Sequence, residues 1–104
     1  MTLRLHLDPM CDENGPLVVV PGSHRILSQT CGQAVAVVHC AAGDLFVMRP
    51  LLLHGSRASS PDTRMHRRVV HLELAPRREL PGMYDWHDFE RIDAASPTAL
   101  SCDE

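Results

Sequence analysis

The first clear period along the chain is two. From Leu3 to Asp8 the apolar residues Leu3, Leu5 and Leu7 alternate with Arg4, His6 and Asp8, as in a strand with one face buried. On that pattern the leucines face the core, and His6 and Asp8 face water. Pro9 ends the strand. Cys11 to Pro16 is rich in turn formers, with Asn14-Gly15 the strongest signal, and the β-branched run Leu17 to Val20 follows, closed by Pro21-Gly22. Together these segments predict a hairpin. A loop from Ser23 to Gly32, with room for a short helical turn, precedes a strand over Ala34 to His39. Ala41 to Asp44 then supplies a turn before Leu45 to Met48, which predicts a second hairpin. Pro50 restricts Arg49 to extended geometry, and Leu51 to Leu53 are expected to continue extended into His54. There the strand gives way to a Ser-, Pro- and Asp-rich loop, Gly55 to Thr63. Arg68 to Leu74 is the last clear strand, with Arg68, Val70, Leu72 and Leu74 on one face. Beyond Pro76 the weak periodicity predicts irregular packing or a short helix, and disorder is expected from Ser96.

Short strands between Gly/Pro turns, with neither a long amphipathic helix nor an internal repeat, predict an all-β, mainly antiparallel sandwich or barrel. The 104 residues fit one domain or part of one, since a chain of this size buries roughly two-thirds of its unfolded surface. Apolar residues at 44% and charged residues at 22% exclude disorder throughout. The net charge of −3 and the scatter of basic residues, apart from Arg64, Arg67 and Arg68 and the pair Arg77 and Arg78, argue against nucleic acid as a partner. No apolar run approaches the ~20 residues that cross a bilayer, and the N-terminus lacks a long apolar region, so neither a membrane span nor a secretory signal is expected. The expected location is cytoplasmic. Cys11, Cys31, Cys40 and Cys102 form no CxxC pair or zinc-ribbon spacing, and they read as free thiols.

Four segments in order, TLRLHLD, DENGPLVVVPGSHR, GDLFVMRPLLLHGS and RRVVHLEL, resemble the phytanoyl-CoA dioxygenase-like family of Fe(II)/2-oxoglutarate-dependent oxygenases. The resemblance covers about Thr2 to Ala75. It implies a double-stranded β-helix, that is, a cupin-like jelly roll, present in part: residues 1–75 as the C-terminal portion of the domain and 76–104 as an irregular tail. It also implies Fe(II) and 2-oxoglutarate as cofactors. In such sites two histidines and one carboxylate occupy one face of the iron, leaving the other positions for cosubstrate and dioxygen.

The resemblance places His54 at the distal iron-binding histidine. It places Arg67 at the arginine that pairs the far carboxylate of 2-oxoglutarate, a task suited to a planar guanidinium. Alternation alone would instead turn Arg68 inward with Val70, Leu72 and Leu74, so both arginines stand as candidates. The pair His6 and Asp8 has the HxD spacing of the remaining metal ligands, and residues two apart in a strand share a face. The family carries its HxD on an earlier strand, however, which implies a chain that begins after that strand. PGSH, Pro21 to His24, resembles a loop-shaping family feature, and His24 reads as structural. His39, His66, His71 and His87 show no metal spacing. No nucleophile elbow surrounds Ser23 or Cys40, which argues against a hydrolase.

The leading expectation is hydroxylation of a small or lipid-like organic substrate coupled to conversion of 2-oxoglutarate to succinate. The rival is a non-catalytic β-scaffold fragment acting as a homodimer or interaction module. Both start from the same strands, which are expected to include one near Arg68 to Leu74 adjacent to the one leading into His54.

Overall fold

A computed structural model describes residues 1–25 and 34–92. Within them the chain forms six strands: β1 (Thr2–His6), β2 (Leu17–Val19), β3 (Ala36–Val38), β4 (Leu45–Met48), β5 (His54–Ser56) and β6 (Val69–Glu73). The only helical pieces among the described residues are single 3₁₀ turns at Asp12–Asn14 and Ser23–Arg25. The architecture is all-β. The strands form two three-stranded sheets in the orders β4-β1-β6 and β3-β2-β5, with every pairing antiparallel.

Neither expected hairpin forms. β1 and β2 lie in different sheets, as do β3 and β4. A Gly/Asn turn reverses the chain but does not decide whether the next strand pairs with the last or crosses to a facing sheet. Here each reversal crosses, and the single bridge Met10 to Cys40 ties the two crossing segments together. The expected adjacency of β5 and β6 is also corrected, because the two belong to opposite sheets. Leu51 does not continue extended into His54 either: its φ of 64° is left-handed, a turn conformation costing roughly 1–2 kcal/mol for a residue with a Cβ. That turn sends the chain from β4 in one sheet to β5 in the other.

The two sheets share one small core. Met10, Leu17, Val19 and Met48 are buried, and Ala36, Val38, Cys40, Phe46 and Leu52 pack against them. In β2 the side chains alternate as a strand requires, so Leu17 and Val19 face the core while Val18 is only half-buried.

In the first sheet the face assignment is the reverse of the sequence expectation. His6 is 1% exposed, whereas Leu5 is 36% and Leu7 50% exposed. Residues paired across an antiparallel ladder point to the same face. The register Thr2 to Met48, Arg4 to Phe46 and His6 to Val69 therefore puts Thr2, Arg4 and His6 on the core side with Met48 and Phe46. Leu5 pairs with Leu45 and Val70, and Leu3 with Val47 and Leu72, forming an aliphatic outer face that is largely open to solvent.

After β6 the described chain is irregular to residue 92. The Trp86 indole N–H donates to the Arg78 carbonyl at 2.9 Å, and the Arg78 guanidinium lies 4.8 Å from the centre of the Phe89 ring. The expected loop beyond Arg25, the expectation of disorder from Ser96, and the cysteines Cys31 and Cys102 fall outside the described residues. Cys11 and Cys40 are free thiols.

Candidate functional site

Three backbone devices bring the candidate residues toward one another. Asn14, 5% exposed, accepts the Cys11 N–H at 2.8 Å and donates to the carbonyls of Pro9 at 2.7 Å and His66 at 3.1 Å. It thus fastens the end of β1 to the residue preceding Arg67. Gly15 adopts a left-handed φ of 74°, and a Cβ there would meet the Arg57 carbonyl oxygen at 2.6 Å. Its own carbonyl accepts a hydrogen bond from the Arg67 guanidinium. Ser23, the serine of PGSH, is buried and accepts the Leu53 N–H at 2.8 Å, beside a backbone bond from the Val20 N–H to the Leu53 carbonyl. Those two bonds fix the residue just before His54.

His54 and Ser56 pair with Val19 and Leu17, so they share the core face of the second sheet at its exposed rim. The His54 Nδ1 lies 2.8 Å from the Leu52 carbonyl oxygen. Only a protonated Nδ1 can donate there, which leaves the lone pair of the neutral ring on Nε2. Arg67, two residues before Val69, reaches across from the first sheet. Its Nη1 and Nη2 stand 3.4 and 3.5 Å from the Ser56 hydroxyl, and Nη1 is 4.0 Å from the Met10 sulfur. Arg67 and the β5 residues therefore meet, although their strands are not neighbours.

Arg68 turns the other way. It binds Asp8 through both carboxylate oxygens, with Nε to Oδ2 at 2.9 Å and Nη2 to Oδ1 at 2.8 Å, and its backbone N–H adds a third bond at 2.7 Å. The Arg68 side chain is 68% exposed. These bonds from Arg68 hold the Asp8 carboxyl well below the usual carboxylate range, and Asp8 raises the Arg68 pKa in return. The alternation that would turn Arg68 inward is corrected here, because Val70 and Leu72, which share its face, lie on the open outer surface.

His6 and Asp8 thus part company. His6 is enclosed between the sheets, and neither ring nitrogen has a hydrogen-bond partner. Asp8 is held in the ion pair with Arg68. Among the described residues no group of three or more His, Cys, Asp or Glu side chains is placed to hold a metal ion. The inner face instead carries positive charge. Arg4 lies beside His6 on β1, and its Nε is also buried without a partner. Burial, then the Arg67 charge, lowers the Arg4 pKa, with Cys40 opposing. Burial, then the charges of Arg4 and Arg67, lowers that of His6, with Asp44 opposing.

Two open concavities lie elsewhere, against the tail. One is a groove of about 960 Å³ lined in part by Leu72, Arg78, Trp86 and Phe89, and the other, of about 460 Å³, lies beside Met1, Pro50 and Leu80. Neither includes His54, Ser56 or Arg67. Sequence reasoning missed Arg4, Asn14 and Ser56. The signal for Ser56 was present, since it stands two residues after His54 and shares its face.

Compared with known proteins, residues 1–66 match the family model described as phytanoyl-CoA dioxygenase (PhyH). That is well over half of the chain, and it takes in His54 and Ser56 and ends one residue before Arg67. No curated protein and no solved structure gives a significant match.

Proposed function

The chain belongs to the phytanoyl-CoA dioxygenase family, and on that premise we propose that it is the cosubstrate-binding part of an Fe(II)- and 2-oxoglutarate-dependent dioxygenase acting on a small or lipid-like organic molecule. The two sheets then correspond to part of a double-stranded β-helix. The observation that carries the reading is the meeting of Arg67 with Ser56 on the face that also bears His54. A guanidinium and a hydroxyl side by side can donate to one carboxylate, the pairing that a planar bidentate donor favours. His54, with its lone pair on Nε2, offers one imidazole to a metal on the same side.

2-Oxoglutarate fits these residues; iron does not find a complete set. His54 supplies one donor, His6 is enclosed, and the Asp8 carboxylate is already bound by Arg68. One imidazole gives only a fraction of the chelation of three ligands. When bound, the metal would supply dioxygen activation. The chain's own residues bind and orient the dicarboxylate: Arg67 and Ser56 hold its far end, the Gly15 carbonyl holds the Arg67 guanidinium, and Asn14 holds the carbonyl of the preceding residue, His66. The ion pair of Asp8 favours the second reading in one respect, that of a β-scaffold that binds the anion without turning over substrate.

Anaerobic calorimetric titration with 2-oxoglutarate, with and without Fe(II), tests the proposal. Saturable binding is expected, weakened at least about tenfold in Arg67→Met, as for loss of a hydrogen bond to a charged group. Binding that Arg67→Met leaves unchanged would overturn it. The Fe(II) arm separates the two readings: a metal-to-cosubstrate charge-transfer absorption abolished by His54→Ala supports the enzyme, and its absence supports the scaffold.

A further inference from the structure

Strand β6 is the last strand on one side of its sheet, and no described strand pairs with its far edge. The bonds to β1 show which groups that edge carries. The Leu7 N–H donates to the Arg68 carbonyl at 3.0 Å; at the other end the Leu74 N–H donates to the Met1 carbonyl at 2.8 Å, and the Met1 amine donates back at 2.7 Å. The pairs Leu5 to Val70 and Leu3 to Leu72 lie between them in the same register. Residues 68, 70, 72 and 74 therefore turn their backbone groups toward β1, and the N–H and C=O of Val69, His71 and Glu73 point to the free edge. β6 has five residues, whereas the other edge strands have three or four, and short edges are the ones that resist pairing.

The groove of about 960 Å³ runs along this edge. Its lining includes the five consecutive residues His71 to Ala75. Successive strand residues point to opposite faces, so a groove that meets all of them lies at the edge and not on a face. Trp86, Phe89 and Ile92 of the tail line it too. Five strand residues span roughly 17 Å, which gives the groove a cross-section of roughly 55 Å². One strand, about 4.8 Å from its neighbour in a sheet about 10 Å thick, occupies roughly 48 Å². The groove thus has room for one extended chain and not for two.

We propose that the free edge of β6 binds an extended segment of another polypeptide, which joins the sheet as an antiparallel fourth strand between β6 and the tail. The unpaired backbone groups of Val69, His71 and Glu73 supply the affinity, and the faces of the sheet set the sequence. Residues paired across an antiparallel ladder share a face. Partner residues bonded to His71 and Glu73 therefore stand beside an imidazole and a carboxylate and are polar, while alternate residues extend the aliphatic face of Val70 and Leu72. A second copy docked edge to edge would bring β1 behind its own β6, more than the groove admits. The residues that follow Ile92 contain Pro97 and one large aliphatic residue, Leu100, which does not supply the alternation. The inference does not depend on iron or on a cosubstrate.

The test is titration of the full chain with a blocked peptide of alternating threonine and valine, followed by calorimetry and by the emission of Trp86, the one tryptophan of the chain. Saturable binding of one peptide per chain, with a shift in that emission, is expected. N-methylation at every threonine removes the donors that face β6 and should weaken binding at least about tenfold. The same change at every valine, whose N–H points away, should leave it intact. His71→Pro removes a donor from the free edge and none from the pairing with β1, so it should also weaken binding at least about tenfold. Should His71→Pro fail to fold, the two N-methylated peptides decide on the unaltered chain. Absence of binding, equal affinity of the two N-methylated peptides, or binding unchanged in a folded His71→Pro would overturn the proposal. A dimer in sedimentation that excludes the peptide would assign the edge to a second copy, which also overturns it.

Discussion

Replacing Asn14 by alanine is the most direct probe of how the fold places its candidate site. Asn14 makes three hydrogen bonds, to the Cys11 N–H and to the carbonyls of Pro9 and His66. The last spans 52 residues and anchors the segment that carries Arg67. Each such bond contributes about 0.5–1.5 kcal/mol net, so the substitution removes about 1.5–4.5 kcal/mol. Because the groups it leaves behind are only partly buried, water recovers some of them, and about 2–3 kcal/mol is expected. With an m-value of about 1.5 kcal/mol/M, the urea midpoint followed by circular dichroism falls by about 1–2 M. Asn14→Asp sharpens the test. It keeps the acceptor for Cys11 but loses both donated bonds, and it sets a carboxylate against two carbonyl oxygens. It should therefore cost at least as much as alanine at neutral pH. If Asn14→Ala unfolds within about 0.5 kcal/mol of the unaltered chain, or Asn14→Asp proves the milder change, Asn14 does not fasten the Arg67 segment as described.

Gly15→Ala combines a left-handed φ with a backbone contact of 2.6 Å, whereas Gly43→Ala, at φ 90° with nothing within 4 Å, carries the conformational term alone. Gly15→Ala should thus lose clearly more stability than the roughly 1–2 kcal/mol of Gly43→Ala, and equal losses in urea titrations would count against that geometry. Asp8 has a folded pKa held below the unfolded one, so its contribution to stability is complete above the usual carboxylate range and disappears as pH falls below about 4. Asp8→Asn should show no such component in an acid titration, and an unchanged acid profile would contradict the pairing with Arg68. Ser56→Ala should weaken 2-oxoglutarate severalfold by calorimetry, at a stability change within about 0.5 kcal/mol because Ser56 is exposed; unaltered affinity would leave Arg67 acting alone. Leu45→Lys and Leu72→Lys, both on the open aliphatic face, should reduce self-association in sedimentation without lowering stability by more than about 0.5 kcal/mol, and association that persists would place the contact elsewhere.

The all-β class and the positions of β1 to β4 and β6 were legible in the sequence, because strand period and Gly/Pro punctuation are local signals. β5 was expected too early, ending rather than beginning at His54, since nothing local marks the left-handed turn at Leu51. The partner of each strand was not legible either. β1 and β2 carry an ordinary hairpin signal at Asn14-Gly15, yet Gly15 turns under Arg57 and Ser59, and the chain crosses to the other sheet. That choice depends on contacts distant in sequence. In the site, the family pattern read Arg67 as the inward arginine where periodicity chose Arg68, and the structure turns Arg67 toward Ser56. No local signal marked Asn14 as a clasp between β1 and the Arg67 segment, since its partners Pro9 and His66 are joined only by the fold.

Periodicity gives the spacing of a strand's two faces but not which of them is buried. On β1 a one-residue shift in pairing would bury Leu3, Leu5 and Leu7 and release Arg4 and His6 to water. By burial alone that alternative is better, because a fully buried leucine is worth about 1.5–3 kcal/mol and unpaired polar groups are costly. The observed register must therefore be held by terms outside β1. Three are visible: the Arg68 clasp on Asp8, the Asn14 bonds to Pro9 and His66, and the bridge from Met10 to Cys40. All three act at the C-terminal end of β1, where His6 enters the inner face.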